Sequence, residues 1–316
     1  MLYWLHSADK HFVRGKLMKE KEKNMIVLYV ILLAVVQGIL EFLPVSSFGH
    51  LCILQNLFGM EQGPGVLLEV MLHFGTMTAV ILVFWKDIRR IGLETLGMIM
   101  DMIGNLSLYI HNRRTGDKLR YAKIISSTYR KFAALIWISM IPTAMIGYTA
   151  RRLVALAASS KLIPGAGILI TGILLLVVDF SRLGGKKAAR DADFSSAMWI
   201  GICQGLSVFP GLSRSGLTIS AGLMCGFTRS FAVKYSYILS IPAIFGAFIM
   251  ELKQFGSADM TIGLGFTYVL GMLIAAVVGY FTIHILLRLV NKGRLCYFAY
   301  FCFLIGFFTL IGNYVL

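Results

Sequence analysis

Apolar residues run along this chain in blocks of roughly membrane length, separated by short basic connectors. From residue 25 onward the blocks occupy 25–43, 66–85, 92–110, 132–150, 163–180, 195–209, 231–250, 262–290 and 295–316. About 20 apolar residues cross a hydrocarbon core as a helix, so the pattern predicts an all-α polytopic membrane protein with about six to eight spans. The 92–110 block is the weakest, because Glu94 and Asp101 interrupt it, and it reads as an interfacial helix. The stretches 46–58 and 213–227 are too short to span and open on Ser, Gly and Pro. They read as re-entrant helices, which are tolerated at membrane depth only when buried in protein or lining a wet cavity. Residues 111–131 and 181–194 read as polar loops. Residues 1–24 form a polar N-terminal extension, and 25–316 read as one integral membrane domain. The extension lacks the apolar core of a cleavable signal peptide, and the first span is expected to act as an uncleaved insertion signal.

Composition supports this reading. Hydrophobic residues make up 58% and charged residues 14%, with a mean hydropathy of +0.78. Soluble domains stand at about half and about a quarter, which excludes a soluble domain with a single anchor. The net charge of +15 is concentrated at 10–23, 86–90, 113–131, 151–152, 182–190 and 288–294, each beside an apolar block. That placement assigns the charge to topology and anionic membrane lipid, with no nucleic-acid partner. Cys52, Cys203, Cys225, Cys296 and Cys302 stand in apolar stretches with no CxxC pair, which argues against a disulfide framework or a thiolate zinc site.

Two segments repeat one another. The first reads Gln37-Gly38-Ile39-Leu40-Glu41-Phe42-Leu43-Pro44-Val45-Ser46-Ser47-Phe48-Gly49-His50. The second reads Gln204-Gly205-Leu206-Ser207-Val208-Phe209-Pro210-Gly211-Leu212-Ser213-Arg214-Ser215-Gly216. Laid together without a gap, Gln37/Gln204, Gly38/Gly205, Phe42/Phe209, Ser46/Ser213 and Gly49/Gly216 are identical. Each begins as an apolar helix and breaks near a Pro. Broken helices at matching places in two halves, here roughly 25–150 and 163–316, predict an inverted repeat with its polar site at the breaks.

The polar residues inside these blocks suggest the chemistry. An ionisable group in hydrocarbon costs at least about 2.5 kcal/mol, so one that persists is a functional candidate. Glu41 lies one helical turn beyond Gln37, on the same face. The pair suits either a helix–helix clamp or a hard-cation site for Mg²⁺ or Ca²⁺. Ser46 after the Pro44 break reads as a helix N-cap. Ser47 with His50 one turn on reads as a nucleophile with its base. Arg214, between Ser213 and Ser215 and before Gly216, reads as a phosphate fork or as an ion-pair partner of Glu41 or Glu69. Glu69 and His73, four apart on one helix, either line the same cavity as a second layer or make a structural hydrogen bond.

With these residues the chain resembles the bacitracin-resistance type of undecaprenyl-diphosphate phosphatase. The resemblance rests on the segment from Gln37 and Glu41 to His50 and on Pro210-Gly211-Leu212-Ser213-Arg214-Ser215-Gly216, and it covers roughly 25–316. It implies a plasma-membrane, multi-pass hydrolase that converts undecaprenyl diphosphate, a lipid-linked diphosphate, to the monophosphate. That reaction recycles the carrier for cell-wall peptidoglycan and confers bacitracin resistance. By motif match Glu41 is an essential carboxylate near the metal and Ser47 the nucleophile. His50 is the acid/base or a phospho-acceptor, and Arg214 the phosphate ligand. Ser46, Ser213, Ser215, Gly216 and Thr218 belong to the substrate pocket. Gln37 stands where many members have Glu, and Phe48 where many have a hydroxyl residue. The alternative is a transporter that moves isoprenyl phosphate across the bilayer through the same anion site. A homodimer stays open.

Overall fold

The computed structural model describes residues 25–47, 49–51, 65–158, 160, 162–251 and 262–315. The expectations for the extension 1–24, for Phe48, for Cys52 and for the rest of the first re-entrant segment lie outside these residues. In chain order the helices are α1 (Met25–Leu40), α2 (Gly65–Val83), α3 (Trp85–Thr115), α4 (Thr128–Ala158), α5 (Ile163–Phe180), α6 (Phe194–Leu206), α7 (Arg214–Met224), α8 (Arg229–Glu251), α9 (Ile262–Asn291) and α10 (Cys296–Val315). Among the described residues the only extended pairing is one bridge between Lys187 and Phe227. The molecule is an all-α, multi-pass membrane protein with broken helices.

Several helices outrun their apolar blocks. α3 and α4 extend at both ends beyond 92–110 and 132–150, because charged and polar residues continue the helix past the apolar stretch. α2 and α3 meet at 90° around Phe84. α3 buries only Ile91 and Met98. The two carboxylates that weaken its apolar pattern hold Arg130 of α4, Glu94 at 3.0 Å and Asp101 directly. The loop after α3 is clipped back along it: Asn105 exchanges two hydrogen bonds with the Ala122 backbone, and Asn112 two with Leu119.

Among the described residues three helices, α4, α5 and α9, are long and apolar enough to cross a membrane unbroken, and the bent α2–α3 pair adds a fourth only when counted as one span. Two shorter apolar helices accompany them, Met25–Leu40 of α1 and Cys296–Gly312 of α10. α1 and α6 stop where the two motifs unwind, and α7, with 11 residues, is too short to span.

Packing exchanges elements between the two halves of the sequence. Gly38 of α1 lies against Ala275 and Val278 of α9, and Gly75 of α2 against the Met272 carbonyl of the same helix. Conversely, Gly201 of α6 lies against the Ser139 carbonyl of α4, and Gly205 against Ile146. Each motif helix therefore packs on a long helix of the opposite half. A Cβ at Gly75 or Gly201 would run into backbone, and such close approach is how helices associate in lipid. Two buried tyrosines on α8 complete the frame. The Tyr237 hydroxyl donates to the Phe42 carbonyl at 2.9 Å, and Tyr235 donates to the Leu135 carbonyl at 2.9 Å. Both satisfy a polar tip that would be costly to bury alone.

Candidate active site

Both motifs turn out of a helix, and each does so differently. Past α1 the Glu41 N–H still bonds to the Gln37 carbonyl at 3.0 Å, which keeps the two side chains on one face. Pro44 has no N–H to continue the ladder. Ser46 then adopts a left-handed φ of 69°, and its Oγ accepts from the Gly49 N–H at 3.4 Å. Helix resumes at Ser47, so Ser46 sits at the N-cap that the sequence suggests. In the second motif the left-handed residue is Gly211, at φ 87°. It is pressed on the Pro164 carbonyl and Gly167 of α5, where no Cβ fits. Ser213 caps α7 by accepting from the Gly216 N–H at 3.1 Å, and its own N–H donates to Thr171 of α5 at 3.1 Å. Identical in the alignment, Ser46 and Ser213 thus differ in backbone conformation.

The two breaks meet at Glu41, which is buried. Its Oε1 is paired with the Arg214 guanidinium. Its Oε2 accepts from Gln37 Nε2 at 2.9 Å and from Ser47 Oγ at 2.8 Å. His73 Nε2 stands 3.7 Å from the same oxygen, while its Nδ1 donates to the Glu69 carbonyl at 2.8 Å. Ser215 Oγ donates to the Leu43 carbonyl at 3.0 Å and tightens the junction. Both structural alternatives from the sequence are therefore present, the Gln37–Glu41 clamp and the Arg214–Glu41 pair. Glu69 and His73 are joined by a hydrogen bond from the His73 ring to the Glu69 backbone carbonyl.

A cavity of about 700 Å³ opens on this cluster. Glu41, Ser46, Ser47, Glu69, His73, Ser213, Arg214 and Ser215 line its polar end. Beyond them the wall turns apolar, with Met140, Ala144 and Tyr148 of α4, Val208, Leu212 and Ile244. Arg214 Nη1 is buried without a hydrogen-bond partner, so one donor of the guanidinium is uncommitted.

Four expected site residues are not brought to the cavity wall. His50 does not reach Ser47. Its Nδ1 donates to the Ser46 carbonyl at 2.7 Å, and its ring stacks on Phe301 of α10 with centroids 5.5 Å apart. The left-handed turn at Ser46 aims Ser47 at Glu41 and His50 the other way. Thr218 faces inward, 2.6 Å from Ser236 Oγ. Gly216 spends its N–H on the Ser213 cap. Gln37 sits fully buried behind Glu41 rather than on the wall. Conversely, the sequence reading missed Gln204, Thr143 and Ser240, which do line the cavity. For Gln204 the signal was present, since it is the repeat partner of Gln37.

Among the described residues no group of three or more His, Cys, Asp or Glu side chains is arranged to hold a metal. The oxygen donors nonetheless fit a hard cation that takes part of its shell from a ligand. Glu41 is a carboxylate, and Gln37 Oε1 is a buried oxygen without a hydrogen-bond partner. The described cysteines, Cys203, Cys225, Cys296 and Cys302, are free thiols.

Fold and site together define an integral membrane protein with a buried serine–carboxylate–arginine cluster. The family model described as Bacitracin resistance protein BacA matches residues 30–308, and the chain belongs to that family. It is similar to the undecaprenyl-diphosphatase of Desulforapulum autotrophicum, 39% identical over 287 residues, which cover 90% of this chain and 98% of that protein. It is also similar to the undecaprenyl-diphosphatase of Alkaliphilus metalliredigens, at 38% over 281 residues, covering 87% of this chain and 94% of that protein. The protein of the same name in Methanosphaera stadtmanae is 34% identical over 290 residues, 92% of this chain and 99% of that protein.

Proposed function

We propose that this protein hydrolyses undecaprenyl diphosphate, or a closely related isoprenyl diphosphate, to the monophosphate and inorganic phosphate. The proposed setting is the plasma membrane, where the reaction recycles the carrier lipid of cell-wall synthesis and withdraws the target of bacitracin. One arrangement supports this most directly. The Ser47 hydroxyl is bonded at 2.8 Å to a carboxylate whose other oxygen is held by Arg214, on the wall of a cavity that apolar side chains also line. Family membership and the names of the relatives point the same way.

In this reading the terminal phosphate enters at Arg214, whose free Nη1 and planar fork suit phosphoryl oxygens. The Ser47 Oγ attacks the terminal phosphorus as Glu41 accepts its proton. The bond from that phosphorus to the bridging oxygen breaks, and the lipid monophosphate leaves with the electron pair. The lipid monophosphate carries off the proton that Glu41 took up; water then attacks the phosphoserine, giving its proton to Glu41, which passes it to Ser47 Oγ as the bond from phosphorus to that oxygen breaks and phosphate departs. The Arg214 guanidinium offsets charge on the equatorial oxygens in both steps. The apolar wall keeps bulk water away and accepts the first part of the isoprenoid chain. A divalent cation, Mg²⁺ or Ca²⁺, would be held by Glu41, the Gln37 amide oxygen and diphosphate oxygens, and would neutralise phosphoryl charge. His50, turned toward Phe301, supports the Ser46 turn in this scheme rather than touching substrate.

The test is release of inorganic phosphate by purified protein given an isoprenyl diphosphate in detergent, with and without Mg²⁺. Phosphate in stoichiometric excess over protein is the expected result. A protein that binds the lipid and releases none would be a transporter, and the proposal would fail.

A further inference from the structure

Gln204 is the second motif's counterpart of Gln37, and it lacks the partner that Gln37 has. One turn on from Gln37 stands Glu41; one turn on from Gln204 stands the apolar Val208. Gln204 is only 2% exposed, yet its Oε1 has no hydrogen-bond partner. Its Nε2 has only the Met140 thioether, at 3.9 Å, a weak acceptor. Burying a primary amide so poorly satisfied is unfavourable relative to leaving it solvated. The neighbouring hydroxyls do not relieve it. Ser207 Oγ bonds to the Gln204 carbonyl at 2.6 Å, and Thr143 Oγ1 bonds to the Ser139 and Gly201 carbonyls. The side chain nevertheless lines the same cavity as Ser47 and Arg214. A buried polar group left this way, on the wall of a ligand-sized cavity, awaits a partner from the ligand.

We propose that Gln204 binds the lipid-side phosphate of an isoprenyl diphosphate and so sets the preference for diphosphate over monophosphate. This rests on the function proposed above. Arg214 and Ser47 engage the terminal phosphate, and the amide of Gln204, freed from a weak thioether contact, donates to the phosphate that carries the lipid. A neutral donor suits that position, because a second cation would hold the monophosphate product as firmly as the substrate. A ligand with one phosphate reaches Arg214 or Gln204, and only a diphosphate reaches both.

The experiment compares wild type with Gln204→Leu, using a farnesyl chain on a non-hydrolysable methylene bisphosphonate and on a monophosphate. Thermal unfolding and binding are measured for each. Removing an unsatisfied buried amide in favour of an apolar group of similar size should leave the unliganded melting temperature unchanged or raise it. The affinity for bisphosphonate should fall at least about tenfold, the scale of one hydrogen bond to a charged group, while that for monophosphate changes little. Gln204→Glu, which sets a carboxylate beside the lipid-side phosphate, should weaken bisphosphonate binding further. An unchanged ratio of bisphosphonate to monophosphate affinity in both variants would overturn the proposal. So would a marked loss of unliganded stability in Gln204→Leu, since that would show a structural role. Wild-type protein that neither binds the bisphosphonate nor releases phosphate from a diphosphate would instead refute the underlying function.

Discussion

Glu41 is the residue on which the site turns, since one buried carboxylate answers to an arginine, an amide, a hydroxyl and an imidazole. Arg214→Lys keeps the charge but loses the planar fork, so phosphate release should fall at least about tenfold, or ~1.4 kcal/mol of barrier. Near-wild-type turnover in that variant would remove Arg214 from the role of phosphate clamp. Ser47→Ala should abolish turnover while still binding a lipid bisphosphonate, because Arg214 is untouched. If Ser47→Ala instead keeps most of its rate while His50→Ala is dead, the nucleophile is His50 or water. The metal proposal has its own check. Gln37→Glu adds a negative charge where divalent affinity follows ligand charge, so half-maximal activity should need less Mg²⁺, and full activity in excess chelator would contradict it. How much of this was legible varies from contact to contact. The Gln37–Glu41 bond follows from four-residue spacing alone. The Ser47–Glu41 bond does not, because it depends on the left-handed turn at Ser46, and nothing in a Ser-Ser pair announces which serine takes that conformation. The same turn carries His50 away from the serine that sequence spacing had given it.

The short helices depend on their ends. α6 begins at Asp193, whose carboxylate accepts from the Ser196 N–H at 2.6 Å, and Lys187 Nζ lies 3.5 Å away. Hydrogen bonds from Ser196, side chain first and backbone next, with the Lys187 charge adding less, hold this carboxyl below the usual aspartate range. A depressed folded value means that the stabilisation is complete above the unfolded value and fades as pH falls through the folded one. Asp193→Ala should therefore cost roughly 1 kcal/mol at neutral pH, the usual magnitude for a lost cap. In thermal melts the gap from wild type should narrow below about pH 4, where the unfolded aspartate protonates. A gap that stays constant from neutral to acidic pH would show that the cap's charge contributes nothing. Element types were readable from the apolar blocks, whereas their ends were not. Hydropathy stops at the edge of the lipid, but the helices of α3 and α4 continue beyond it on charged residues, and α3 is fixed by Asn105 and Asn112 to a loop without apolar signal.

The exchange of helices between halves makes each half incomplete alone. α1 and α2 present Gly38 and Gly75 to α9, α6 presents Gly201 and Gly205 to α4, and the Arg214–Glu41 pair and the Tyr237–Phe42 bond cross the same divide. The repeat was visible in the sequence as five aligned identities, but not which helix each copy would pack on, because that depends on backbone approach at single glycines. The connection between α4 and α5 offers the place to test it, being short, outside both helices, and remote in sequence from both motifs. Coexpressed as two chains divided near residue 160, the halves should copurify and release phosphate from an isoprenyl diphosphate. Expressed singly, each should be degraded or aggregate, since it exposes a buried half of the Glu41–Arg214 pair, and an unpaired buried charge costs several kcal/mol. Gly201→Leu should weaken copurification, because its side chain would meet the Ser139 carbonyl on α4, whereas Gly104→Leu, on an open face of α3, should not. A single half that purifies as a stable, monodisperse protein would mean that the halves fold independently and only dock, and the interleaved assembly argued from these contacts would be wrong.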